Sequence, residues 1–142
     1  MQTLDYRKGR HCATHLYIHL VFLTKNKAAI FDADHLCMLR RVFDEVCADF
    51  GAGLLSMDGR DDYVELRVRY PARVAVSSLV NSLKGVSSRM LRKRFGKFEE
   101  TFGDALWSPS YLAADGGAPA GYAESFIEMR ADLQTWEELQ GR

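Results

Sequence analysis

The chain has 142 residues, 47% of them hydrophobic, and its 19 Lys and Arg balance its 19 Asp and Glu to a formal net charge of zero. That length suits one domain, and the apolar content suffices for one core. The balance excludes a molecule that binds polyanions through its overall charge, so any nucleic-acid surface has to come from local segregation of charge.

Three cysteines, Cys12, Cys37 and Cys47, are odd in number and lack metal-like pair spacing. They are read as reduced thiols packed as small apolar groups, which fits a cytoplasmic protein. Residues 1–13 are polar and without period, an arm ahead of a single domain over residues 14–142, and no signal peptide is expected from them. The longest apolar run, residues 20–23, is far too short to span a bilayer, so no membrane partner is expected.

Residues 15–24 are rich in β-branched, aromatic and aliphatic side chains on both faces, which predicts a central strand buried on two sides. Asp32 or Asp34 then caps a helix whose stripe is Leu36, Leu39, Phe43, Val46 and Phe50, with Gly51 as its stop. Residues 53–57 read as a short strand, and Asp58-Gly59 as a hairpin turn. Residues 62–70 alternate: Val64, Leu66, Val68 and Tyr70 share one face, and Tyr63, Glu65, Arg67 and Arg69 the other. Pro71 closes that strand.

A long helix follows, with Val76, Leu79, Val80, Leu83, Val86 and Met90 on one side. Gly85 within it weakens the helix by about 1 kcal/mol relative to Ala, which calls for a packing or contact reason. Residues 106–114 form a fourth strand, Gly116-Gly117 breaks the chain, and Pro119 opens a last helix with the seam Tyr122, Phe126, Met129, Leu133 and Trp136. The order β-α-β-β-α-β-α predicts an α+β, ferredoxin-like βαββαβ sandwich with an extra C-terminal helix. Two helices on one sheet face leave the other open to the last helix or to a second subunit.

Three stretches carry a resemblance. They are His19-Leu20-Val21-Phe22-Leu23-Thr24-Lys25-Asn26-Lys27, Ser82-Leu83-Lys84-Gly85-Val86-Ser87-Ser88-Arg89 and Leu106-Trp107-Ser108-Pro109-Ser110-Tyr111. In order and spacing the chain resembles, over about residues 14–134, the single-tyrosine HUH transposases of the insertion-sequence 200/605 group. The resemblance implies a dimer that binds hairpins and cuts single-stranded DNA. It also implies a His-hydrophobic-His pair and a Gln holding Mg²⁺ or Mn²⁺, and a Tyr that attacks the phosphate.

At the matching positions the two histidines are Tyr63 and Glu65, the nucleophile is Phe126 and the Gln is Arg130. Phe lacks the attacking oxygen, and a guanidinium offers a metal no lone pair. Four coordinated departures point to natural loss, so no catalytic residue, metal ligand or cofactor is expected. Glu65 and Arg130, which would meet at one metal in the family, are expected to form an ion pair instead.

The basic run is the functional signal that survives. Lys84, Arg89, Arg92, Lys93, Arg94 and Lys97 fall in a stretch without acids, and Lys25 and Lys27 end the first strand. They are expected to contact phosphates of single-stranded or hairpin DNA, bound by a homodimer without cleavage; the bland reading is a solvated helix face with charges favourable to the helix dipole. Other readings stay open. One is an RNA-binding or regulatory module recruited from a transposase. Another is an enzyme with a relocated site, using Glu65, Glu128 or Tyr122; a third is a remnant that binds nothing. His15 with His19, or Asp61 and Asp62 with Glu65 and Glu128, are the weaker candidates for a metal.

Overall fold

The computed structural model describes residues 15–96, 98 and 105–115. The expected arm, Lys97, and the last helix with Tyr122, Phe126, Glu128 and Arg130 lie outside the described residues.

Strand β1 (His15–Thr24) is followed by helix α1 (Ala33–Asp49), strands β2 (Gly53–Gly59) and β3 (Tyr63–Pro71), helix α2 (Val76–Arg94) and strand β4 (Trp107–Asp115). The four strands make one antiparallel sheet in the order β2-β3-β1-β4. This is the expected α+β arrangement, with the apolar first strand at its centre.

The core lies between one sheet face and the two helices. Leu20 and Phe22 of β1 and Val64, Leu66 and Val68 of β3 point into it, and all five are fully buried. They meet Leu39 and Phe43 of α1 and Leu79, Val80 and Leu83 of α2. Each such side chain contributes about 1.5–3 kcal/mol relative to exposure. Phe22 sits at the middle, edge-on to Phe43, Trp107 and Tyr111 at centroid distances of 6.0, 5.7 and 6.4 Å.

Asp32 is the cap of α1. Its carboxylate accepts from His35 N–H at 3.0 Å, and its own N–H donates to His35 Nδ1 at 3.1 Å. Gly51 ends the helix with φ +71°, a conformation that glycine adopts without a Cβ clash.

One turn differs from expectation. Asp58 and Gly59 do not make the hairpin turn; they continue β2 and pair with Glu65 and Val64. The reversal runs through residues 60–62, closed by Arg60 N–H donating to Tyr63 C=O at 2.8 Å. Gly59 has a packing reason instead, because a Cβ there would lie 2.5 Å from Leu36 Cδ2. The glycine lets α1 close onto β2.

The opposite sheet face holds a second, smaller apolar cluster of Val21, Leu23 and Tyr63 packed with Leu112. All but Leu112 are buried. Among the described residues no helix is long and apolar enough to cross a membrane.

Candidate nucleic-acid interface

The three stretches singled out in the sequence meet at one place. From α2, Lys84 Nζ donates to Ser108 C=O at 2.6 Å. Trp107 Nε1 donates back to Ser87 Oγ at 2.9 Å, while that hydroxyl donates to Lys84 C=O at 3.1 Å. Lys25 N–H, just past β1, donates to Leu106 C=O at 2.9 Å. Side chains on the helix and carbonyls on the edge strand thus tie α2, β4 and the end of β1 together.

The tie leaves a groove of about 320 Å³ between α2 and β4, lined by Lys84, Gly85, Ser88, Arg89, Arg92, Ala105, Leu106 and Trp107. Arg89 is exposed, and Arg92 is oriented by Nε donating to Ser88 Oγ at 3.2 Å. Lys84 is half-buried, 5.7 Å from the Tyr111 ring centroid and 6.0 Å from that of Phe22. Burial holds its ammonium below the ordinary lysine range. A Cβ on Gly85 would meet nothing tighter than Arg89 Nη1 at 3.5 Å. Gly85 therefore has no close-packing role against another element; it widens the groove floor.

Of the expected basic residues, Lys84, Arg89 and Arg92 share this groove. Lys93 and Arg94 are exposed on the last turn of α2 but do not line it. Lys25 and Lys27 stand on a tight turn at its edge, where Asn26 and Lys27 both adopt left-handed backbone (φ 58° and 54°). For Lys27 that conformation costs roughly 1–2 kcal/mol. The turn is held by the Lys25–Leu106 bond and by Thr24 Oγ1, which donates to Ala28 C=O at 2.9 Å.

The two described positions that match the family's metal site, Tyr63 and Glu65, lie on the other sheet face. Tyr63 is buried in the apolar cluster with Val21 and Leu23. Glu65 meets His19 of β1, whose Nε2 contacts the Glu65 carboxylate. In the sequence His19 belongs to the first strand and pairs, as a weaker metal candidate, only with His15. Its contact with Glu65 is a cross-strand diagonal between β1 and β3, visible only once the register is known. Val21 stands opposite Glu65, and His19 opposite Arg67.

Among the described residues the weaker metal candidates do not assemble, and Glu128 lies outside them. His15 is exposed and His19 buried, and four residues of extended strand separate them by about 13 Å, too far to share an ion. Asp61 is exposed and Asp62 partly buried; burial first, and then the Asp61 charge, push the Asp62 carboxyl up. Among the described residues no group of three His, Cys, Asp or Glu side chains is placed to hold a metal ion.

Comparison with known proteins follows the same pattern. The family described as "Transposase IS200 like" matches residues 12–129. The transposases for insertion sequence element IS200 of Salmonella typhimurium and Salmonella typhi are each 22% identical over 129 residues, covering 90% of this chain and 85% of theirs. Among solved structures, a candidate transposase from Deinococcus radiodurans R1 superposes with a TM-score of 0.71 at 23% identity, over 99% of this chain and 98% of that one. A REP-associated tyrosine transposase bound to a REP hairpin superposes with a TM-score of 0.52 at 13% identity, over 78% of this chain and 61% of that one.

Proposed function

Because this chain belongs to the IS200-like transposase family, we propose that it binds single-stranded or hairpin DNA without cutting it. The observation that carries the reading is the convergence of three separate sequence stretches on one basic groove. Lys84, Arg89 and Arg92 line it, and Lys25 and Lys27 flank it. Phosphate is the ligand such a groove suits: guanidinium forks and an ammonium above an apolar floor neutralise backbone charge without reading bases. That a tyrosine transposase of similar fold has been solved bound to a REP hairpin supports the choice of a hairpin ligand.

Loss of cleavage is supported by the donor set. The family's ligand pair corresponds to Tyr63, whose ring lies in an apolar cluster, and Glu65, whose carboxylate is engaged by His19. These residues do not fit a site for Mg²⁺ or Mn²⁺, which takes several oxygen ligands with room for water. At the nucleophile and third ligand positions the sequence has Phe126 and Arg130, neither of which can supply its chemistry. The protein acts as a homodimer in the cytoplasm, a setting consistent with Cys37 and Cys47 being free thiols.

The test is binding and cleavage of a labelled DNA hairpin pool with Mg²⁺ or Mn²⁺, across salt. Binding that weakens steeply with salt and leaves no covalent adduct is the expected outcome. A protein–DNA adduct or a nicked strand would overturn the loss of cleavage, and the absence of salt-dependent binding would overturn the interface.

A further inference from the structure

A second groove, of about 300 Å³, lies between the two helices and is lined by Asp34, Cys37, Met38, Arg41, Arg94 and Phe95. We infer that it takes the single-stranded tail of a bound DNA hairpin, so that the nucleic acid crosses the C-terminal end of α2 from one groove to the other. This rests on the reading of the first groove as a DNA interface.

Helix geometry sets the two grooves back to back. Arg92 lines the first and Arg94 the second. Two residues of α-helix turn by about 200° and rise only about 3 Å, so these guanidiniums leave opposite flanks of the same last turn. A backbone leaving the Lys84 groove past Arg92 therefore meets Arg94 on crossing the helix end.

Charge and aromatic surface make the second groove suit a single strand. Arg41 and Arg94 are both exposed, and among the described residues neither is in an ion pair. Among the described residues Asp34 is the one acid in the lining, beside the two guanidiniums. The helix dipole accounts for cations at the end of α2, but not for Arg41, which lies inside α1. The Arg94 guanidinium carbon lies 5.9 Å from the Phe95 ring centroid, a cation–aromatic platform of the kind on which unpaired bases stack. Phe95 is braced from behind by His35 and Phe98, at ring-centroid distances of 4.5 and 6.1 Å. A platform fixed in this way loses little freedom when a base covers it.

The experiment uses a fluorescein-labelled DNA hairpin with an oligothymidine tail, and the same hairpin without the tail, titrated by anisotropy across salt. Arg41→Gln and Arg94→Gln are each expected to reduce the slope of log K against log salt by about 0.7 for the tailed hairpin, and to leave the tailless one unchanged. Arg40→Gln is the control, an exposed cation of α1 outside the lining, and leaves both slopes unchanged. Slopes for Arg41→Gln and Arg94→Gln equal to the control, with binding still lost in Arg89→Gln, would overturn the tail path and leave the first groove standing. If the wild type shows no salt-dependent binding, both readings fall.

Discussion

Replacing Lys84 by Met keeps the side chain's length and apolar stem and removes only the charged donor. In the native protein that donor bonds Ser108 C=O at 2.6 Å and lies 5.7 Å from the Tyr111 ring. A hydrogen bond from a charged group contributes about 1.5–3 kcal/mol. A cation near an aromatic face adds about 0.5–1 kcal/mol, at the low end here because the separation is near the limit. Opposing both is the cost of half-burying an ammonium, which Met relieves. The net expectation for Lys84→Met is a loss of about 1–2 kcal/mol, because the Ser108 carbonyl is left without this donor. In urea that lowers the midpoint at unchanged slope, and in a thermal scan it lowers Tm by roughly 3–8 °C. The pH dependence has a fixed sign. Burial holds the folded-state pKa of Lys84 below 10.5. Between the folded value and 10.5 the unfolded chain binds the extra proton, so the Lys84 contribution to stability rises with pH across that window. The gap between wild type and Lys84→Met therefore widens as pH approaches 10.5. A variant as stable as wild type, or more stable, would mean that desolvation outweighs the bond and that Lys84 is kept for the ligand alone.

Gly59→Ala should lower the urea midpoint by the equivalent of about 1–3 kcal/mol, since the added Cβ would lie 2.5 Å from Leu36 Cδ2; an unchanged midpoint would refute the packing reason for this glycine. Cys47 is buried and Cys37 exposed, and burial, with Asp44 beside it, pushes the Cys47 thiol up to about 11. Native-state alkylation with iodoacetamide should therefore modify Cys37, lose one rapidly labelled site in Cys37→Ser, and be unchanged in Cys47→Ser. The neutral Cys47 thiol favours the folded state below pH 9.0, and that contribution is lost as pH rises toward about 11, opposite in sign to the Lys84 effect and absent from Cys47→Ser.

The fold was largely readable because its elements have simple periods. Val64, Leu66 and Val68 alternate because β3 is half of a sheet whose one face meets helices, and Leu39, Phe43 and Val46 follow the helix repeat for the same reason. Asp58-Gly59 misled because the dipeptide is a good turn former in isolation, whereas here a close helix demanded the glycine within a strand. The Lys84, Arg89 and Arg92 cluster is legible because Arg89 and Arg92 stand three residues apart and Lys84 and Arg92 eight, which puts them on neighbouring parts of one helix flank. Arg41 is not, since nothing local in α1 shows that its side chain faces the end of α2. The pairing of His19 with Glu65 is not legible in the sequence, because the two lie 46 positions apart on different strands.

The order of the strands ties the interface to folding itself. Among the described residues β4 is an edge strand, bonded to β1 alone, and it joins residues from opposite ends of that chain segment, as Leu20 does with Ala113. Such a distant pairing has a large loop-closure cost and is among the last to form. The groove needs β4 in place, because Leu106 and Trp107 are its far wall. A chain that has folded its helices and three strands still has no groove. Anything bound there draws its affinity partly from holding the final strand shut, and so protects β4 amides from exchange ahead of those in the centre of the sheet.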